Sequence, residues 1–421
     1  MPDPAGHSHA VVLGSGFSRA ISPLMPTLSE LRDIVLDDLG IRIEELKPFS
    51  GNLEQWMSFI AVDQPWLTDA DNLSNRSLFE RVRSSLAQSI FSAENRAIAE
   101  PTPDWLLRLV WTWCENEAAV FTFNYDTLVE RCLVSMGRVQ TLADVYAVPL
   151  MERVAAGDGT MLGAEEPNGP VLQLYKLHGS VNWAFGGLQA PPNDRIVLTE
   201  AILPWKSRAD PIAKRSLRYQ SRFADLTQLI IPPTFAKGPY YNNLSLRAQW
   251  TRAATSLRES TNLTVIGYSF PPGDQVAGQW VSSSFMGWRM DVVDAAAGRP
   301  QEIRDRLPEA RTGLDFTGTR ALEDYVDHEC GPLVRWNISA LDPSGTVTVE
   351  LWVNGVDVLV ALPDSQRPWR DDYQAAQAWV HDRVQAAAPN FSFADRAVGG
   401  MSRSFDTRYV VLPKGATLSL N

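Results

Sequence analysis

His9-Ala-Val-Val-Leu13 runs directly into Gly14-Ser-Gly16-Phe-Ser18-Arg19. The apolar run reads as a buried strand and the glycine pair as a tight turn, with helix beyond it. The same pattern recurs along the chain. Ala118–Phe123 is continuous apolar and aromatic sequence and stops at Asn124-Tyr125-Asp126. Val171–Leu177 stops at His178-Gly179-Ser180, Leu263–Ile266 at Gly267-Tyr268-Ser269, and Met290–Val293 at Asp294. Apolar runs that alternate with amphipathic helices predict a doubly wound α/β sheet with parallel strands.

Between these runs lie helices. Thr27-Leu-Ser-Glu30 is a capping box. Leu28, Leu31, Val35 and Leu39 follow as one stripe, and Gly40 is a natural stop. Residues of about 45–115 read as a helical module inserted in the α/β domain. A later helix carries Leu246, Trp250, Ala253 and Leu257 on one face. Residues 151–170 read as a mobile insertion and 184–225 as a loop-rich excursion.

After residue 325 the pattern changes. Val347, Val349, Leu351 and Val353 alternate with polar residues, then Asn354-Gly355 precedes Val356, Val358, Val360 and Leu362. A two-residue Asn-Gly turn pairs 353 with 356 and predicts that all these apolar side chains share one face. A helix from Trp369 to Ala387 is available to cover it. The chain is therefore expected to hold an α/β domain over 1–330 and a small α+β accessory domain over 331–421.

The chain has 421 residues, 45% of them hydrophobic, and a net charge of −11. Such acidity argues against binding nucleic acid or anionic membrane through the bulk field. Three cysteines, Cys114, Cys132 and Cys330, are too scattered for a zinc module or a disulfide framework. No apolar run approaches the length that spans a bilayer, and the N-terminus lacks the features of a signal peptide. The expectation is a cytoplasmic protein without a metal site.

In an open α/β sheet, ligands bind outside the carboxyl ends of the strands. Here those ends are all small or polar. Gly14 permits the turn, Gly16 lets backbone amides approach a phosphate, and the helix N-terminus adds partial positive charge. A dinucleotide fingerprint would place a third glycine where Arg19 stands, and an acidic residue at the end of a second strand. Both are missing, which disfavours a plain dehydrogenase. His178 stands between a strand and a glycine, where it could act as a base near neutral pH. Asn124 could orient a ribose, a carboxamide or a water; Asp126 is a natural helix N-cap. No nucleophile elbow and no Walker-type loop occurs.

These residues resemble a family. Gly14-Ser-Gly16-Phe-Ser18 followed by Met25-Pro26-Thr27-Leu28 looks like the phosphate loop of sirtuin-like proteins. Phe121–Asp126 looks like their asparagine-aspartate motif, Lys176–Trp183 their histidine-glycine motif, and Val265–Pro271 their late strand-loop motif. The order matches across residues 10 to about 300. The resemblance implies a Rossmann-like fold that binds NAD, with Asn124 and His178 as the catalytic pair and Asp126 beside them. Gly14, Ser15, Gly16, Phe17 and Ser18 would hold phosphates and ribose; Gly267, Ser269 and Asp294 would lie toward the adenosine half. The four-cysteine module of deacylating sirtuins is missing, and so is their usual stretch after Ser18. The chain looks more like bacterial sirtuin-like NAD hydrolases that act in defence against phage. The expected activity is NAD glycohydrolysis to nicotinamide and ADP-ribose. The alternatives are a sensor of NAD or ADP-ribose without turnover, or a zinc-free deacylase or ADP-ribosyl transferase. Expected partners are NAD and, through the C-terminal domain, a second copy or a defence-system protein.

Overall fold

The computed structural model describes residues 8–139, 145–146, 152–153, 172–185, 197–198, 204–208, 227–235, 237–271, 273–307, 312–340, 347–359, 372–389 and 408–419. The readings of 154–170 and of most of 186–225 lie outside the described residues, as do Val360, Leu362 and Trp369. The chain divides into two compact units, Met1–Pro101 with Asn116–Leu322 and Thr102–Glu115 with Glu323–Asn421. This division falls a few residues before 330. It also takes the helix Asp104–Glu115 out of the helical module and into the second unit.

The first unit is built on a six-stranded sheet. Its strands are β1 (Ser8–Leu13), β2 (Ala119–Thr122), β4 (Gln173–Lys176), β8 (Ser260–Ile266), β9 (Arg289–Asp294) and β10 (Asp315–Thr317). They are ordered β10-β9-β8-β1-β2-β4, and every neighbouring pair is parallel. Counted along the chain within this sheet, the order is 3-2-1-4-5-6, the Rossmann arrangement. Ala10, Val11, Val12 and Leu13 are all fully buried, as a strand covered on both faces requires. One core cluster joins Phe121, Tyr175, Val265, Trp280 and Met290.

The strand order reverses between β1 and β8, so their carboxyl ends diverge toward helices on opposite faces. At that point the two loops touch. Gly14 donates its amide to the Ile266 carbonyl at 3.0 Å and Gly16 donates to the Gly267 carbonyl at 3.0 Å. A Cβ on Gly16 would stand 2.7 Å from the Gly267 Cα, and one on Gly267 would stand 2.5 Å from the Phe17 nitrogen. Gly267 is also left-handed, with φ +59.

The glycine loop is itself helical: the helix Ser15–Ile21 starts directly at Gly14, earlier than the sequence reading put it. The expected capping box at Thr27 and Glu30 forms, and Gly40 closes the helix Leu28–Leu39 in the left-handed conformation. Leu31, Val35 and Leu36 are its buried residues, whereas Leu28 is 38% exposed. The inserted helices Leu53–Ile60 and Asp69–Ala97 build a second core with Trp56, Met57, Val82 and Leu86, closed by Val181 and Ile230.

Val181 and Ile230 belong to a second sheet. Its members are β3 (Glu152–Arg153), β5 (Gly179–Phe185), β6 (Val197–Leu198) and β7 (Thr227–Ile230), ordered β3-β6-β5-β7. The apolar Leu229 and Ile230 fall in β7, which pairs antiparallel with β5.

The second unit has its own four-stranded sheet: β11 (Leu333–Ala340), β12 (Val347–Val353), β13 (Val356–Asp357) and β14 (Arg408–Val411). The Asn-Gly turn forms as expected. Val353 pairs with Val356, and Asn354 and Gly355 both have positive φ, 50 and 81. The single shared face does not continue past the turn. Val356 is 66% exposed, and Leu359, out of phase with it, is buried. A strand only two residues long keeps no register, so the chain rolls over to bury Leu359. The helix Tyr373–Ala387 packs on β11 and β12. Arg108 of the helix Asp104–Glu115 donates to the Gly331 and Cys330 carbonyls and pairs with Asp327 at 2.5 Å.

The glycine contact gives a paired prediction. Gly40→Ala, left-handed with open space around it, should cost about 1 kcal/mol. Gly267→Ala adds backbone overlap and should cost about 2 to 5 kcal/mol. Urea unfolding midpoints of the two variants measure the difference.

Candidate functional site

The carboxyl ends of β1, β2, β4 and β8 converge on one cleft of about 210 Å³. Its floor is polar: Gly14, Ser15, Ser18, Asn124, Asp126, His178, Gly267 and Ser269 all line it. Its far wall is apolar, from Met25, Pro26, Leu28, Leu31 and Ile90. Arg19 stands where a third glycine was expected, and it holds this wall. Its guanidinium donates to the Pro23 and Met25 carbonyls and pairs with Glu30.

Asn124 follows β2, and its amide nitrogen is fully spent. Nδ2 donates to the Gly14 carbonyl at 2.7 Å and to Ser18 Oγ at 2.8 Å. A carbonyl can only accept, so this partner fixes the orientation of the amide. Oδ1 is left as the group Asn124 has available for a ligand. The Ser18 hydroxyl in turn donates a hydrogen bond to Asp126 Oδ2 at 2.6 Å. Burial pushes the Asp126 carboxyl up to about 6, with Lys176 opposing and Glu94 reinforcing the rise. Asp126 also accepts from the Leu128 amide at 3.2 Å, so it caps the helix Leu128–Ser135 from one residue outside, where Thr127 holds the N-cap position.

Beneath this loop sit two buried ion pairs. Lys176 meets Glu130 at 3.0 Å and Arg131 meets Glu94 at 2.5 Å. Lys176 also donates to the Asp126 carbonyl, and Glu94 accepts from the Thr127 amide and hydroxyl. Removing one partner of such a pair typically costs about 3–5 kcal/mol, so the loop bearing Asn124 is rigid for a reason below the cleft.

His178 lies in the short link between β4 and β5. Gly179 has φ +80, and a Cβ there would meet the Leu229 carbonyl oxygen at 2.1 Å. The His178 carbonyl accepts from the Ile231 amide at 2.8 Å. Only glycine allows β5 to come this close to β7, and that approach fixes the histidine. The ring is 7% exposed and packs edge-on to Phe123 at 4.8 Å.

The sequence reading did not single out the groups around this ring. His178 Nε2 stands 3.3 Å from Asp274 Oδ2 and 3.5 Å from Lys237 Nζ. Asp274 also accepts from Lys237 Nζ at 2.7 Å and from the Tyr268 hydroxyl at 2.5 Å. Burial opposes the Asp274 charge, but His178 and Lys237 outweigh it and hold the carboxyl well below the usual range. Burial lowers the His178 pKa, with Asp274 opposing, so the ring is neutral at pH 7. Nε2 faces both a carboxylate, which only accepts, and an ammonium, which only donates; with the ring proton on Nε2 toward the nearer Asp274, Nδ1 keeps the lone pair that can take one. Asp274 lies three residues beyond the Gly267–Pro271 motif, and Lys237 in a proline-rich segment. Neither position carries a periodic signal.

The remaining expected residues fall elsewhere. Gly16 and Phe17 are not among the cleft-lining residues. The Gly16 amide is taken by Gly267, and the Phe17 amide by the Gly14 carbonyl at 2.9 Å. The close approach demanded of Gly16 is thus to another loop of the protein. Asp294 ends β9 away from this lining and accepts from the Ala296 amide at 2.9 Å. Among the described residues, no group of His, Cys, Asp and Glu side chains could hold a metal ion. No helix among them is long and apolar enough to cross a membrane.

Comparison with known families fits this geometry. The model of the SIR2-like domain matches residues 118–284, about two fifths of the chain. The matched stretch holds Asn124, Asp126, His178, Lys237 and Asp274, and stops short of the Gly14–Ser18 loop. Over that stretch the chain resembles a SIR2-like domain. No curated protein gives a significant match.

The Lys237–Asp274 pair predicts a pH-dependent stability. Asp274→Ala should cost about 3–5 kcal/mol at pH 7, because Lys237 is left buried and unpaired. The folded-state pKa of Asp274 is depressed, so its contribution is complete above the unfolded value of 3.8 and drains away as pH falls below it. The gap between the urea midpoints of wild type and variant should stay constant from pH 7 down to about pH 4 and narrow only below it.

Proposed function

We propose that the cleft binds NAD and hydrolyses its nicotinamide–ribose bond, giving nicotinamide and ADP-ribose. The observation that carries this reading is the pairing of Asn124 and His178 at one switch-point cleft. Each has its other polar atoms already committed to the protein. A group in this state needs no reorganisation when a substrate arrives, and preorganised dipoles are the largest source of rate enhancement in many enzymes. The SIR2-like match supports NAD as the nucleotide.

The residues present fit such a substrate. Gly14, Ser15 and Ser18 line the polar floor, where a ribose and its phosphates would be held. Gly267 and Ser269 line the β8 side, toward the adenosine half. Asn124 Oδ1 accepts from a ribose hydroxyl or from the attacking water. As the C–N bond breaks, its electron pair leaves with nicotinamide. The water oxygen bonds to the anomeric carbon, and its proton passes to His178 Nδ1. Asp274 accepts from Nε2 and stabilises the imidazolium that forms; Asp126 acts through Ser18 to hold Asn124.

On this reading the chain is a bacterial NAD glycohydrolase of the anti-phage type, working in the cytoplasm. The second unit serves as the surface for a second copy or a defence partner.

His178→Ala and Asn124→Ala should each reduce nicotinamide release by about 10² to 10⁴ while leaving the circular dichroism spectrum unchanged. Wild-type turnover in either variant contradicts the assignment, and saturable NAD binding without release would make the protein a sensor. Because the pKa of His178 is lowered from 6.5, kcat/KM should hold its plateau through pH 6.5 and fall only at more acid pH. Initial rates between pH 5 and pH 8 test this.

A further inference from the structure

One wall residue of the cleft is not used by the mechanism above. Glu54 lies in the first turn of the helix Leu53–Ile60, a part of the inserted helical module outside the SIR2-like match. Its side chain lines the cleft and the residue is only 7% exposed. Among the described residues its carboxylate has no hydrogen-bond or ion-pair partner; its main-chain carbonyl is engaged by the Ser58 hydroxyl. The carboxylate presses on Gly273, whose added Cβ would stand 2.4 Å from Oε2. One turn on, Ser58 fixes the helix by accepting from the Phe235 amide at 2.8 Å and the Thr234 hydroxyl at 3.1 Å. Glu54 is thereby set against the loop that carries Asp274 and beside the segment that carries Lys237.

The local charges decide what this carboxylate can do. Lys237 is already paired with Asp274 at 2.7 Å, and the two cancel. His178 is neutral. The other cleft carboxylate, Asp126, is engaged by the Ser18 hydroxyl and the Leu128 amide, so Glu54 leaves an unengaged negative charge in a wall otherwise formed by Met25, Leu31, Ile90 and Pro233. A buried carboxylate without a partner is costly and seldom kept for packing. Burial raises its pKa, with Lys237 opposing, as expected for a charge waiting for a counter-ion. An apolar slot with one negative charge complements a flat cationic heterocycle, and the oxidised nicotinamide ring is one.

We propose that Glu54 is a specificity-determining residue that faces the cationic pyridinium ring of the dinucleotide and selects the oxidised over the reduced form. This rests on the NAD reading of the cleft. When the glycosidic bond breaks, the positive charge moves from the ring toward the ribose, and the same carboxylate stays close to it.

The test uses the full chain and two non-hydrolysable probes that differ in ring charge, carba-NAD and its dihydro form. Calorimetry at pH 8 should show wild type binding the cationic probe at least about tenfold more tightly, as an ion pair in a partly buried site implies. Glu54→Gln should bring the two affinities within about twofold of each other and leave that of the dihydro form unchanged. Glu54→Asp, which keeps the charge, should retain a preference. Undiminished selectivity in Glu54→Gln overturns the proposal and leaves the NAD reading intact. Equal loss of selectivity in the Gln and Asp variants assigns the effect to shape and also overturns it. If wild type binds neither probe, the NAD reading fails and this inference with it.

Discussion

The contact between Gly16 and Gly267 is the constraint on which the cleft depends. It lies where the sheet reverses direction, and two backbones meet there without a side chain between them. The helix Ser15–Ile21 can start directly at the end of β1 only because the loop after β8 accepts it. That start places the Gly14 carbonyl and the Ser18 hydroxyl where Asn124 can reach both. One steric condition therefore orients the amide that the proposed reaction uses.

Two buried polar networks carry the same logic outward. One runs from Asn124 through Ser18 to Asp126 and rests on the Lys176–Glu130 and Arg131–Glu94 pairs. The other runs from His178 through Asp274 to Lys237 and Tyr268. Each is anchored by a glycine contact, at Gly267 and at Gly179. Buried networks of this kind have a high cost when half-satisfied, which is why each catalytic candidate has a single geometry. The helical module then closes the cleft with an apolar wall and adds Glu54.

Much of the sheet was legible because its strands are short apolar runs that end in small or polar residues. β1, β2, β4, β8 and β9 fall where the patterns put them, within one to three residues. The capping box at Thr27 and the Asn-Gly turn at 354–355 are local chemistry and hold in the structure. Long-range relations were not legible. β7 reads like any buried strand, yet it pairs in a separate sheet and fixes His178. Asp274, Lys237 and Glu54 become site residues only through tertiary contacts, with no spacing that announces them. Gly16 reads in the sequence as a place where backbone amides approach a phosphate, whereas the group packed against it in the structure is Gly267.

The most direct test of the account is proton NMR of NAD incubated with the purified full chain. The account predicts that nicotinamide and ADP-ribose resonances grow in equal amounts as those of NAD decline. Intact NAD whose resonances are neither consumed nor broadened by the protein would contradict it.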